Sequence, residues 1–277
     1  MGDSHTRSRV WRFFRSAVHP VTDLAYFARD YPRAISLLRV LPKSIDSQSV
    51  PNWREWNNSP DDRLIGFDHF VTHEEVPNWA GDIGDIDGFS SSKSRLEDFK
   101  STSDMVIANS REMLREISEA GLKENLAHTE IRIIHNKGID SLRSCSWDRR
   151  IFLMNSGGSH HFSAAKLIAN ELDVRIEING TLNRYSINPK AVQVICDSYR
   201  IFLVSGGASA WCGLHDALKK MSAPWARRDL PHPYDKEDGI AIFLPKNNKN
   251  SMAAARILDG SGFLDLSSHL RSLLDCA

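Results

Sequence analysis

Twice in this chain an Arg-led apolar run passes directly into a Gly-rich turn and then into a stretch with helical spacing. One copy is RIFLMNSGGSHHFSAAKLI, beginning at Arg150; the other is RIFLVSGGASAWCGLHDAL, beginning at Arg200. A short run rich in Ile, Phe, Leu and Val reads as a buried strand, and the turn and helix that follow return the chain across a sheet. Around these copies the alternation continues. Strands are expected at 104–108, 131–135, 174–178 and 239–244, and helices at 110–120, 162–172, 189–198 and 251–258, with Gly121 closing the first of them. The expected class is α/β, a mixed sheet built from strand, Gly-rich turn and helix units. A single echo falls short of a repeat architecture, which needs about three units.

The rest of the chain divides by charge. Lys+Arg and Asp+Glu are each 35 in 277 residues, so the net charge is zero, against a wholesale nucleic-acid binder. Residues 1–43 nonetheless hold eight bases against three acids, and residues 44–100 hold twelve acids against five bases. The reading is a basic helical head at 1–43, an acidic irregular segment with lid or active-site loops at 44–100, and an α/β domain at 101–277. Within the acidic segment only 63–72 reads as a strand, and 79–92 reads as turn chemistry. The arginine-rich head is where nucleic acid could be held. No apolar stretch is long enough to span a membrane, the four cysteines are scattered without a C-x-x-C pair, and the N-terminus lacks a signal-peptide pattern. These point to a reduced, cytoplasmic chain away from membranes; they leave oligomeric state open.

The turn after the first strand carries the most chemistry. Gly157 and Gly158 permit positive φ and close approach of another group, and the following helix start aims N–H groups and a positive dipole end at one point. That combination binds phosphate through Ser156, Gly157, Gly158, Ser159, His160 and His161, the two imidazoles adding ring N–H donors. A capped helix with two solvated histidines is the plainer alternative.

These residues resemble the ParB/sulfiredoxin-like nucleotide-binding fold over about 130–180. The family has a strand, a G-x-H-R-x-x-A-A type element opening a helix, and a strand. Gly158-Ser159-His160-His161 lies over its G-x-H-R, and Ala164-Ala165 over its paired alanines. The resemblance implies a bound nucleoside triphosphate, ATP or CTP, with either phosphoryl transfer or nucleotide-switched binding of nucleic acid. It departs at His161, where the family has Arg: a neutral imidazole lacks the guanidinium fork. The family's upstream acidic motif has no clear counterpart, although Glu130 precedes the IRIIH stretch.

In the acidic segment FDHFVTHEE gathers Asp68, His69, His73, Glu74 and Glu75. No general-base Glu lies between the histidines, so a zincin site fails, and magnesium held by Asp68 and Glu74 suits phosphoryl chemistry better. The expected catalytic set is Asp68, Glu74, Glu75 and His160. The GDIGDIDG acids lack calcium-loop spacing, and Ser101-Thr102-Ser103 lacks the E-x-E of an ADP-ribosyltransferase. Of the seven tryptophans, Trp53 and Trp56 beside Arg54 are the best base-stacking candidates. The leading function is a nucleotide-dependent phosphotransferase or nucleotide-processing enzyme, of kinase-like type. A ParB-like switch module is the alternative. A serine hydrolase using Ser159, with Asp216 and His232 downstream, is the second, since G-x-S-x-G is matched except at His161.

Overall fold

A computed structural model of the chain describes residues 23–25, 28–29, 43–57, 64–135, 138, 140–204, 208–234 and 239–275, without the side chains of 208–210. The basic helical head expected at 1–43 and the second Ser-Gly-Gly turn lie outside those residues, apart from helical pieces at 23–25 and 28–29 and residue 43. The architecture is α/β. Strands β1 (Val71–Asp82), β2 (Ile86–Phe89), β3 (Ser141–Cys145), β4 (Ile151–Met154) and β5 (Glu177–Ile187) form one mixed sheet in the order β1-β5-β3-β4-β2. β1 with β5 and β3 with β4 are antiparallel, whereas β3 with β5 and β2 with β4 are parallel. A second, antiparallel sheet has the order β6-β8-β7, from Tyr199–Val204, Ile240–Pro245 and Ala226–Asp229.

The helices are α1 (Thr102–Asn109), α2 (Glu119–Leu126), α3 (Ser159–Glu171), α4 (Pro189–Ser198), α5 (Ala208–Lys220), α6 (Lys249–Gly260) and α7 (Leu266–Asp275). α3 lays Phe162, Ala165, Ile168 and Ala169 on the five-stranded sheet against Ile86, Phe89, Leu142 and Leu153. Its small alanines let the helix approach the strands closely. A larger aromatic cluster, with Trp53, Trp56, Phe67, Phe70 and Phe243 at its centre, joins Val71 and Ile187 of the first sheet to the second. The second sheet's other face packs on α5 and α6, together with Leu24 and Ala28.

Several elements differ from their sequence expectations. Residues 71–89 of the acidic middle supply β1 and β2 to the main sheet. β1 is an edge strand, and its apolar alternation fails because most of its side chains face solvent. Its ladder slips between Val76 and Trp79, where Pro77 cannot donate and Asn78 has φ 54. The stretch at 104–108 is helical, because Ser101 and Asp104 form a capping box that starts α1. The helix expected at 110–120 is a short 3₁₀ turn, Arg111–Leu114, followed by α2. Gly121 lies inside α2 and does not end it: a Cβ there would meet the Glu116 carbonyl oxygen at 2.4 Å. IRIIH forms consecutive turns whose Ile131 and Ile133 are buried anchors, an alternation that mimics a strand. β3, β7 and α7 carry too weak a pattern to have been expected.

Candidate functional site

The parallel pair β2 and β4 ends side by side, so the loops after Phe89 and after Met154 leave the sheet together. Carboxyl ends of neighbouring parallel strands are where α/β sheets commonly seat ligands. Asn155, only 5% exposed, fastens the loops. Its Nδ2 donates to the carbonyls of Ser91 (3.0 Å) and Gly157 (2.8 Å), and its Oδ1 accepts from the Ser91 N–H (3.2 Å). Ser90 Oγ donates to the Asn155 carbonyl at 3.0 Å. The polar turn signals at 90–94 and 155–158 thus become two walls of one cavity.

That cavity encloses about 640 Å³, and all six phosphate-binding candidates (Ser156, Gly157, Gly158, Ser159, His160 and His161) line it. Gly158 is the N-cap of α3, in the left-handed region at φ 74, and no side chain caps this helix end. The first-turn N–H groups of Ser159, His160 and His161 therefore have no intrahelical acceptor. Gly158 is required for packing as well as for φ: a Cβ there would stand 2.8 Å from the Glu130 carbonyl carbon and oxygen. The glycine admits the backbone at Glu130, which is the group that approaches it closely. Behind the turn, Arg132 Nη1 donates to Ser156 Oγ at 2.5 Å. Asp140 stands next to Arg132, and burial raises its carboxyl above the usual range despite that charge.

The two histidines are held differently. His160 Nε2 is 3.0 Å from Ser94 Oγ, and its Nδ1 bonds the hydroxyl of buried Ser110. Ser94 Oγ also accepts from Asn109 Nδ2 at 2.7 Å. His161 Nδ1 is 3.0 Å from Asn125 Oδ1, and its ring stacks on His128 with centroids 3.8 Å apart. Because Asn125 Nδ2 already donates to the carbonyls of Met113 (3.1 Å) and Gly121 (2.9 Å), its Oδ1 is the free acceptor. The neutral His161 ring accordingly carries its proton on Nδ1 and keeps a lone pair on Nε2. Burial pushes both imidazoles below their ordinary value. Lys93 lowers His160 further against the pull of Glu112, and His128 and His160 lower His161 further against Glu130 and Glu124. Neither is a solvated cap.

Lys93, Ser92, Ser94, His128 and Glu130 complete the chemistry of the cavity. Of these, only Glu130 is singled out by the sequence reading. SSSKS resembles an ordinary loop, and only the parallel pairing of β2 with β4 makes it face the Gly turn.

The acidic candidates are elsewhere. Asp68 is exposed in a turn next to His69, which has φ 61. Glu74 and Glu75 are exposed on β1, at the opposite edge of the sheet from β2. Glu74 pairs with Arg184 at 2.9 Å, and His73 stacks on Tyr185. None of these lines the cavity, so Asp68, Glu74 and Glu75 are not brought to His160. Asp68 and Glu74 do not fit a magnesium site, and among the described residues no group of three or more His, Cys, Asp or Glu side chains could hold a metal. Trp53 and Trp56, 0% and 1% exposed, are core residues and offer no stacking surface. Ser159, 3% exposed, gives its hydroxyl to Ser92 Oγ at 2.8 Å, which removes it as an accessible nucleophile. Asp216 and His232 do not line the cavity either. Among the described residues, no helix is long and apolar enough to cross a membrane.

Residues 76–277 match a family of unknown function, DUF6685, and the chain belongs to that family. No curated protein and no solved structure matches it.

Proposed function

We propose that this member of the DUF6685 family binds a phosphate ester in the cavity at the start of α3, a nucleotide being the expected form, and processes it there. The observation that carries the reading is the convergence of an uncapped helix N-terminus, Lys93 and two imidazoles on one cavity. A helix end of this kind stabilises an anion through directed N–H groups, and a lysine adds a point charge. The ParB/sulfiredoxin-like resemblance of the same turn supports nucleoside triphosphate as the ligand class. Glu130 works against full ionisation of the bound group. It lines the cavity, with Oε2 3.1 Å from where a Cβ on Gly157 would stand. Its carboxylate favours a singly charged phosphate over a doubly charged one.

Titrating the purified chain with inorganic phosphate, ATP and CTP, each with and without magnesium, tests the reading by calorimetry. Binding that strengthens in Glu130→Gln and weakens in Lys93→Ala is expected. A wild-type chain to which none of these ligands binds would overturn the reading.

A further inference from the structure

The Ser94–His160 contact has the form of a nucleophile–base pair, although the sequence motif had pointed to Ser159. Ser94 Oγ accepts from Asn109 Nδ2 at 2.7 Å, which leaves its own O–H to donate to His160 Nε2 at 3.0 Å. The Nδ1–H on the other side of the ring then donates to the Ser110 hydroxyl. Ser110 is 3% exposed and sits at the end of α1, so it holds the imidazole from a fixed, buried position. This is the general arrangement of an activated nucleophile: a hydroxyl within hydrogen-bond reach of a base that a third group orients. All four side chains line the same cavity. Burial and Lys93 keep His160 below its ordinary pKa, hence neutral and able to accept a proton at neutral pH.

We propose that Ser94 is the nucleophile of this cavity and His160 its general base, acting on the phosphate ester assigned above; the substrate class rests on that assignment. The Ser94 Oγ–P bond forms as the bond from phosphorus to the ester oxygen breaks. The Oγ proton passes to His160 Nε2 and from there to the departing alkoxide. Water then attacks the phosphoseryl phosphorus and gives its proton to His160, and Oγ leaves and takes that proton back. The net reaction is ester plus water to alcohol plus phosphate, with both proton transfers through one imidazole. A histidine that merely ties the loop at Ser94 to the end of α1 would leave Ser94 as unreactive as any other serine.

An alkyl fluorophosphonate separates these cases on the full chain, because it phosphonylates an activated serine with loss of fluoride whatever the natural substrate. The modified residue is located by peptide mapping. The expected result is one alkylphosphonyl group, on Ser94, with none in Ser94→Ala. His160→Gln should slow the labelling by roughly 10²–10⁴-fold, the usual contribution of a general base. Labelling absent from Ser94, spread evenly over serines, or as fast in His160→Gln as in wild type would overturn the nucleophile. A chain labelled at Ser94 that binds neither phosphate nor nucleotide would overturn the substrate class instead. Phosphate binding without labelling would overturn only the Ser94–His160 mechanism.

Discussion

At the cavity, polar side chains satisfy one another: both ring nitrogens of His160 have hydroxyl partners, and His161 is held by an amide and a second imidazole. In the aromatic core between the sheets, polar groups are wrapped in rings. Arg228 lies 4.6 Å from the Phe67 ring centroid and 5.6 Å from that of Trp56, with Nη2 donating to the Glu55 carbonyl at 2.9 Å. His269 sits near Trp53 and Tyr234, and its buried Nε2 has no hydrogen-bond partner among the described residues. The difference separates two uses of burial. A satisfied network can hold donors and lone pairs in place for a ligand, whereas an unpartnered ring nitrogen such as His269 Nε2 adds little but sensitivity to charge. Substitutions in the core should therefore be read in stability, and substitutions at the cavity in affinity.

The largest expected effect tests the core side. Trp56 is fully buried, packs against Phe67, Phe70 and Phe243, and donates Nε1 to the Asp229 carbonyl at 3.0 Å. Trp56→Ala should lower unfolding stability by about 3–5 kcal/mol, measured by urea denaturation. Phosphate affinity of the chain that remains folded should be unchanged. A parallel loss of affinity would break the separation of the two regions.

His269 comes next. Burial pushes its pKa down to about 4. The unfolded chain protonates this residue near the ordinary value, so its contribution is intact above about pH 6.5 and is lost as pH falls toward 4, up to about 3 kcal/mol. His160 and His161, also depressed by burial, act in the same direction. Urea midpoints followed from pH 7 to 4 should fall steeply in wild type and less steeply in His269→Phe. Identical slopes would mean that His269 is not the core's titrating group.

A smaller effect, read in affinity, tests the cavity side. At acid pH, once Nε2 is protonated, His161→Ala should weaken sulfate binding by roughly 1.5–3 kcal/mol, the size of a hydrogen bond to a charged group. At neutral pH, where Nε2 offers only a lone pair, it should change binding little. Sulfate does not titrate in the relevant range and isolates the imidazole. Since burial, His128 and His160 all lower His161, affinity should rise only as pH drops below about 6.5, where an anion makes protonation favourable. His161→Arg should keep the affinity and flatten that rise, because guanidinium does not titrate there. An alanine variant with wild-type affinity at every pH would remove His161 from the anion site.

The sequence made strands legible wherever both faces are buried: β4, β6 and β8 fall within a residue or two of their apolar runs. It misled where a strand runs along the sheet edge, as in β1, and where turns bury alternate residues, as at Ile131 and Ile133. Half of the site was legible because a Gly-rich turn feeding a helix is a local pattern. Ser92, Lys93 and Ser94 were not, since only the long-range pairing of β2 with β4 sets them opposite that turn. Asp68, Glu74 and Glu75 were grouped by proximity in sequence, and the sheet order leaves Glu74 and Glu75 at the far edge, with Asp68 in the turn before β1. At α1 the signal was present and local: the spacing of Ser101 to Asp104 is a capping box, and it outweighs the β preference of Val106 and Ile107.

That cap provides the smallest and most discriminating test. Asp104 N–H donates to Ser101 Oγ at 3.0 Å, and Ser101 N–H donates to Asp104 Oδ2 at 3.0 Å, so two first-turn donors depend on one pair. Ser101→Ala removes the hydroxyl acceptor and should cost about 1 kcal/mol, read as a lower urea midpoint with an unchanged slope. α1 is anchored beyond its first turn by Met105 and Val106, both 0% exposed, and ends at Ser110, whose hydroxyl holds His160. Fraying at Ser101 should thus stop short of Ser110, leaving both sulfate affinity and the rate of fluorophosphonate labelling at their wild-type values. If either falls along with stability, the start of α1 is coupled to the cavity. The network that holds His160 would then extend through the whole helix, well beyond the serine at its end.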